Sequence, residues 1–184
     1  MSTLDDRSLA GLTDRTVELL QVMIRNECVN DGTVDSGHES RNADALAAVV
    51  AGPSVDIERF EPVPGRASIV GRIAGSDPEA PSLCLMGHTD VVPVRADGWR
   101  HDPFGGEIID GEVWGRGAVD MLNLTASMAV AFRQLADDAA AGRFRPTGDL
   151  IFFGVADEES GSAQGARWMA DHPPAFASPD KVDM

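Results

Sequence analysis

Residues 82–93, Ser82-Leu83-Cys84-Leu85-Met86-Gly87-His88-Thr89-Asp90-Val91-Val92-Pro93, decide the architecture. Leu83 to Met86 are four mostly apolar residues in a row, which reads as a buried strand, and they run through a glycine into a polar turn. His88 and Asp90 are two apart, so on a backbone that stays extended they point to the same side. An imidazole beside a carboxylate suits a metal ligand. The carboxylate takes one ring N–H, fixes the tautomer and leaves the other nitrogen free for a cation. A strand-end histidine paired with an aspartate for local structure is the plainer alternative, and this stretch alone leaves both open.

Working outward, a second apolar run, Leu150-Ile151-Phe152-Phe153-Gly154-Val155, is closed by Asp157-Glu158-Glu159-Ser160-Gly161. Between the two runs, residues 108–114 predict a tight hairpin around Asp110-Gly111. Gly115-Arg116-Gly117-Ala118-Val119-Asp120 then leads into a helix that reaches about residue 141. Upstream, residues 13–29 carry Val17, Leu20 and Ile24 at helical spacing behind a Thr/Asp start. A second helix is expected over 41–50, stopping at Gly52-Pro53. Short strands are expected over 54–60 and 66–73, and a short helix over 163–170. Residues 1–12 read as a flexible leader. Strands alternate with helices, so the expected class is α/β, a mostly parallel sheet with helices on both faces.

Composition narrows the function. The chain has 184 residues, 43% of them hydrophobic, enough to fold around a core. With 15 basic against 30 acidic residues the formal charge is −15. That argues against nucleic acid or an anionic membrane as partner, because both need clustered Lys and Arg. Cys28 and Cys84 make no disulfide framework. The start, Met1-Ser2-Thr3-Leu4-Asp5-Asp6-Arg7, has neither the basic nor the apolar region of a secretory signal, and no apolar run approaches membrane-spanning length. A cytoplasmic location is expected.

In open α/β sheets functional groups gather at the carboxyl ends of strands. Both strong strands end in such groups, His88 with Asp90 and Asp157 with Glu158 and Glu159, and Asp120 opens a helix after a glycine-rich turn. One histidine and several carboxylates from three segments suit zinc or another divalent first-row ion. Asp120 fits a carboxylate bridging two cations, or else a helix N-cap. Glu158 and Glu159 diverge if extended, so one can hold metal while the other faces substrate as general base; an acidic turn in solvent is the alternative. Metal-activated water with a glutamate base is metal-assisted hydrolysis without a protein nucleophile.

Rival motifs fit less well. Gly115 to Asp120 has two of the three glycines of a dinucleotide fingerprint and follows a hairpin. Gly161-Ser162-Ala163-Gln164-Gly165 puts its serine one place early for a nucleophile elbow. Glu158 and Glu159 are side by side and cannot flank a glycosidic bond.

Four blocks in order resemble a known family: Gly87-His88-Thr89-Asp90-Val91-Val92-Pro93; Trp99-x-x-Asp102-Pro103-Phe104; Gly111-x-x-Trp114-Gly115-Arg116-Gly117-x-x-Asp120-Met121; and Asp157-Glu158-Glu159-x-Gly161. The chain is similar to the co-catalytic zinc amidohydrolases and peptidases that include acetylornithine deacetylase, succinyl-diaminopimelate desuccinylase, aminoacylase and the glutamate carboxypeptidases. The resemblance covers roughly residues 13–175. It implies two divalent ions, zinc expected and cobalt or manganese the alternatives. It makes His88 a ligand of one metal oriented by Asp90, Asp120 the bridge, Glu159 a ligand of the second metal and Glu158 the general acid/base. A cis peptide bond after Asp120 also belongs to the resemblance. The implied substrate is an N-acyl amino acid or small peptide.

Two departures stand out. Leu122-Asn123 replaces the Lys-Gly pair that follows the Asp-Met pair in many members, which weakens any substrate assignment. The family also has a further acidic ligand, a late histidine and an inserted domain that often dimerises, none of which matches a position here. His38, His101 and His172 do not stand where the late histidine would. Residues 13–184 are therefore expected to be the N-terminal part of a zinc-peptidase-like catalytic domain, inactive by itself, with a homodimer possible for the longer protein. The alternatives are a non-catalytic metal-binding or interaction module and, more weakly, a nucleotide-binding domain using Gly115 to Gly117.

Overall fold

The apolar run at 150–155 becomes the middle strand of a five-stranded sheet. A computed structural model describes residues 9–175 and 182–183. In chain order its elements are α1 (Leu9–Arg25), α2 (Ser40–Val50), β1 (Asp56–Phe60), β2 (Ser68–Ile73), β3 (Ser82–His88), β4 (Glu107–Ile109), β5 (Glu112–Trp114), α3 (Leu122–Ala140), β6 (Leu150–Val155), α4 (Ala166–Asp171) and β7 (Val182–Asp183). The sheet order is β1-β2-β6-β3-β7, and β4 with β5 form the separate hairpin expected around Asp110-Gly111.

The α/β class is as expected, with a mixed sheet. β3 runs parallel to β6 and to β7, whereas β2 is antiparallel to both β1 and β6. Connection length explains the difference. The link from β1 to β2 across residues 61–67 is too short for a crossover, so the strands turn back on each other. The path from β3 to β6 includes α3, which is the crossover that parallel strands need.

Side chains alternate across β6 and divide the core. Leu150 and Phe152 pack with Leu20, Ile24, Leu46 and Phe132 of the three long helices. Ile151 and Phe153 face the other way, against Val70, Cys84, Trp168 and Met169. Helices thus cover both faces, α1 to α3 on one and α4 on the other. The rings of Phe132 and Phe152, both fully buried, sit 5.9 Å apart and tilted. Each contributes about 2 kcal/mol by leaving water.

Gly87 sets how closely α3 lies on β3. A Cβ there would come 2.4 Å from Thr125 Oγ1 and 2.9 Å from Met128 Cε, so only glycine lets the helix approach. Thr125 uses that proximity to donate its hydroxyl to the His88 carbonyl at 2.9 Å.

Helix α1 begins at Leu9, inside the stretch expected to be a leader, and ends at Arg25 rather than 29. Residues 1–8 of that leader lie outside the described residues. Beyond Arg25 the backbone turns at Glu27, whose φ is +48°. Val29 then bridges Val91, with Val91 N–H donating to the Cys28 carbonyl at 2.9 Å and Asn30 N–H to the Val91 carbonyl at 2.8 Å. That early stop brings Asn30 to the carboxyl end of β3.

Candidate metal centre

Parallel register creates the site. His88 pairs with Val155, and Thr89 N–H donates to the Val155 carbonyl at 2.9 Å. Residues 156–159 therefore leave β6 alongside residues 88–90, and the polar ends of two apolar strands meet.

His88 is 5% exposed. Its Nδ1 lies 3.0 Å from the backbone carbonyl oxygen of Asp90. A carbonyl only accepts, so Nδ1 carries the proton and Nε2 presents a lone pair. Nε2 faces Asp120 Oδ1 at 3.3 Å and Glu158 Oε2 at 3.9 Å. His88, Glu158 and Glu159 each offer a ligand atom, and these atoms lie within 4.8 Å of one another. Asp120 arrives on the turn ahead of α3 with its side chain 81% exposed, and the Asp120–Met121 peptide bond is cis.

Asp90 does something other than the sequence suggests. Its carbonyl, not its carboxylate, takes the ring N–H; the nearer carboxylate oxygen is 3.6 Å from Nδ1. The carboxylate is fully buried and accepts the backbone N–H of Glu158 at 3.1 Å, that of Glu159 at 3.0 Å and the Asn30 amide at 2.8 Å. Glu158 and Glu159 consequently sit on a turn entered through Asp157 at φ +64°, not on an extended segment. Both side chains converge on His88 rather than diverging.

Behind this turn is a buried charge network. Arg66 Nη1 is 2.7 Å from Glu39 Oε1 and 3.5 Å from Asp157 Oδ1, and all three side chains are almost wholly buried. Burial pushes the Glu39 carboxyl up, against the opposing pull of backbone hydrogen bonds and Arg66. Burial also pushes Asp157 up, but donors win: the Ser160 hydroxyl, the Gln164 N–H and the Asn30 amide, with the Arg66 charge, hold it below its ordinary value. The Glu159 carboxyl is raised by burial and by the charges of Asp90, Asp120 and Glu158, while His88 opposes the rise.

These residues fit a divalent cation. An imidazole lone pair directed at a carboxylate oxygen 3.3 Å away is repulsive unless a proton or a metal ion lies between them. One nitrogen and two carboxylates, Asp120 and Glu159, with Glu158 beside them, make a donor set of the type that zinc and other first-row ions accept. The same positive charge would relieve the mutual repulsion that raises Glu159.

Other sequence candidates lie elsewhere. His101 packs edge-on against Trp114 at 4.8 Å, and His172 stacks on Trp168 at 4.1 Å. A Cβ at Gly115 would meet Ile24 at 2.6 Å, and one at Gly117, φ +85°, would meet Val91 at 2.5 Å. Those glycines are needed for packing inside this chain, which removes the observation behind a nucleotide-binding turn. Asn30, Glu39 and Arg66 were not legible as site residues: they lie in a polar loop, at a helix start and beside a strand, and no periodicity marks them. Among the described residues, no helix is long and apolar enough to cross a membrane.

Comparison with known proteins identifies the family and the fold. Residues 84–184 match the sequence profile of peptidase family M20/M25/M40. Succinyl-diaminopimelate desuccinylase of Rhodopseudomonas palustris (strain BisB5) is 40% identical over 118 residues, which is 61% of this chain and 30% of that protein. The enzyme of the same name from Methylobacterium nodulans is 39% identical over 152 residues, 82% of this chain and 36% of that protein. The chain thus spans about a third of the length of these curated relatives. Among solved structures, an M20 family metallo-carboxypeptidase from Sulfolobus solfataricus superimposes with a TM-score of 0.67 at 16% identity, over 86% of this chain and 34% of that one. Human carnosine dipeptidase 1 gives 0.61 at 23% identity, over 86% and 35%. At these identities the two structures speak for the fold alone.

Proposed function

Because the chain belongs to peptidase family M20/M25/M40, we propose that it is the N-terminal part of a catalytic domain that hydrolyses the amide bond of an N-acyl amino acid or small peptide. The observation that carries this is the convergence of His88, Asp120, Glu158 and Glu159, from three separate segments, around one imidazole nitrogen. The name shared by the desuccinylase relatives supports an N-acyl amino acid as the substrate class.

In this reading His88, Asp120 and Glu159 would hold two divalent ions, zinc expected, Asp120 being the carboxylate they would share. Bound ions of that kind lower the pKa of water to near 7 and polarise a carbonyl oxygen. The Asp90 carbonyl takes the Nδ1–H of His88, which leaves Nε2 as the nitrogen that faces the acids. Glu158, whose side chain is 52% exposed and lies 3.9 Å from His88 Nε2, has solvent access beside the imidazole. With Asp120 assigned to the ions, Glu158 is the acid left to act as base. It takes the proton of the attacking water and returns it to the departing amine. Burial of His88 and Asp90 keeps the ligand geometry fixed while Glu158 keeps room to move.

The test uses a longer protein that contains this chain. Its metal content and its hydrolysis of a panel of N-acyl amino acids are measured beside Glu158→Ala. The variant is expected to keep its metal and lose about 10²- to 10⁴-fold in rate. Retained activity would remove Glu158 as the base. Zinc binding without hydrolysis of any N-acyl amino acid or peptide would favour a non-catalytic metal-binding module.

A further inference from the structure

Asn30 lies outside every motif that points to the reaction, yet its side chain is 3% exposed and every polar atom on it is engaged. Its Nδ2 donates to Asp90 Oδ2 at 2.8 Å, to Ser160 Oγ at 3.0 Å and to Asp157 Oδ1 at 3.2 Å. Its Oδ1 accepts the Gly32 N–H at 3.0 Å, the Arg66 guanidinium at 3.2 Å and the Ser36 hydroxyl at 3.4 Å. The partners dictate the amide's orientation, because the opposite one would set its oxygen against two carboxylates and its nitrogen against a cation.

From this geometry we propose that Asn30 is a positioning residue for the two glutamates of the site. Asn30 acts through Asp90. That carboxylate has few ways to be satisfied without water: the N–H groups of Glu158 and Glu159, and Asn30. Asn30 shares Asp90 Oδ2 with the Glu159 N–H and ties that carboxylate to Asp157, the residue whose left-handed backbone starts the turn. A neutral donor is required here. Asp157 and Asp90 already place two negative charges around the position, with Arg66 and its partner Glu39 just beyond. An aspartate would add a third negative charge and remove the one side-chain donor that, among the described residues, reaches Asp90 and Asp157 together. The polar loop that the sequence shows as a mere connection is, on this view, a support for the glutamate turn.

The proposal builds on the metal-site reading but is tested by a measurement that needs no metal. Amide hydrogen exchange is followed residue by residue in the metal-free 184-residue chain, in wild type, Asn30→Ala and Asp149→Ala. Asp149 is a remote control that ion-pairs with Arg72 at 2.7 Å and accepts the Gly75 N–H. In Asn30→Ala the Glu158 and Glu159 amides are expected to exchange about tenfold faster or more. Asp149→Ala should leave those two amides as in wild type, even where it lowers the melting temperature as much. Unchanged exchange at Glu158 and Glu159 in Asn30→Ala overturns the proposal, as does an equal rise in Asp149→Ala. A cobalt titration is run in parallel, in which Asn30→Ala is expected to bind about 10- to 100-fold more weakly, as for other supports of ligand residues. A wild-type chain that binds no cobalt, with the exchange difference intact, leaves the positioning role standing and shows that the donors of this chain do not hold the ion by themselves.

Discussion

Replacing Arg66 with methionine should expose how much of the stability rests on the charges behind the glutamate turn. The guanidinium is 4% exposed and faces Glu39, which is fully buried, and Asp157, also 4% exposed. Its other nitrogen donates to the Asn30 amide oxygen, the Thr33 carbonyl and the Ser36 hydroxyl. Methionine fills much of the volume but supplies no charge, leaving two buried carboxylates uncompensated. Removing one member of a buried pair costs roughly 3–5 kcal/mol. For a chain of this size that corresponds to a melting temperature lowered by about 6–20 °C. Thermal and urea unfolding at pH 8, followed by circular dichroism, measures it. Burial already raises the Glu39 carboxyl with Arg66 present, and losing the cation raises it further. A carboxyl with a raised folded pKa makes the folded state bind more protons than the unfolded one, so stability falls as pH rises from the unfolded value of about 4.3 through the folded one. The deficit of Arg66→Met should therefore shrink between pH 8 and pH 5. Asp157 has the opposite sign. Its lowered pKa supplies stability that is complete above the unfolded value of about 3.9 and lost only as pH falls below it, so it does not disturb that comparison in the wild type. Adding Glu39→Gln should recover part of the loss, since one of the stranded charges is then gone. A loss below about 1 kcal/mol at pH 8, or a deficit that grows on acidification to pH 5, would refute this account of the network.

Two further outcomes are expected. Phe152→Ala, at a fully buried position in the central strand, should destabilise by about 3–5 kcal/mol in urea unfolding, because the space against Phe132 cannot collapse; a loss under about 1 kcal/mol would mean the two sides of the core are not packed as described. Burial pushes the Cys28 thiol up to about 12 and the Cys84 thiol up to about 11. Both should therefore react with a thiol reagent at pH 8 at least about a hundredfold more slowly in the folded chain than in denaturant, and rapid labelling of Cys28 in the native state would contradict its placement.

Much of the fold could be read from local pattern. Apolar runs at residues 83–86 and 150–155 became β3 and β6; the second is buried as a short apolar run between turn residues leads one to expect, whereas Leu83 (57%) and Met86 (37%) of the first stay exposed. The helix over 41–50 was found within a residue, since Gly52-Pro53 ends it whatever surrounds it. Helix α1 was misplaced by a few residues at each end because nothing local marks where it stops; the pairing of residues 28–30 with Val91 decides that. Strand direction was also beyond local pattern. Parallel and antiparallel partners give the same apolar run when both faces are covered, and only the length of each connection separates them.

For the candidate site, the sequence by itself determined the groups on offer: an imidazole and two glutamates at the ends of apolar strands, where a chain leaving a sheet has to become polar, and Asp120 on a glycine-rich turn. Only the tertiary structure decided how they meet. The parallel register of β3 and β6 brings His88 level with Val155 and draws Glu158 and Glu159 towards its ring. The same folding gave the Asp90 carbonyl to the ring and the Asp90 carboxylate to the glutamate turn. It also recruited Asn30, Glu39 and Arg66, which carry no local signal. The physical reason is range: propensity and periodicity act over a few residues, whereas satisfying a buried charge requires partners from wherever the folded chain places them.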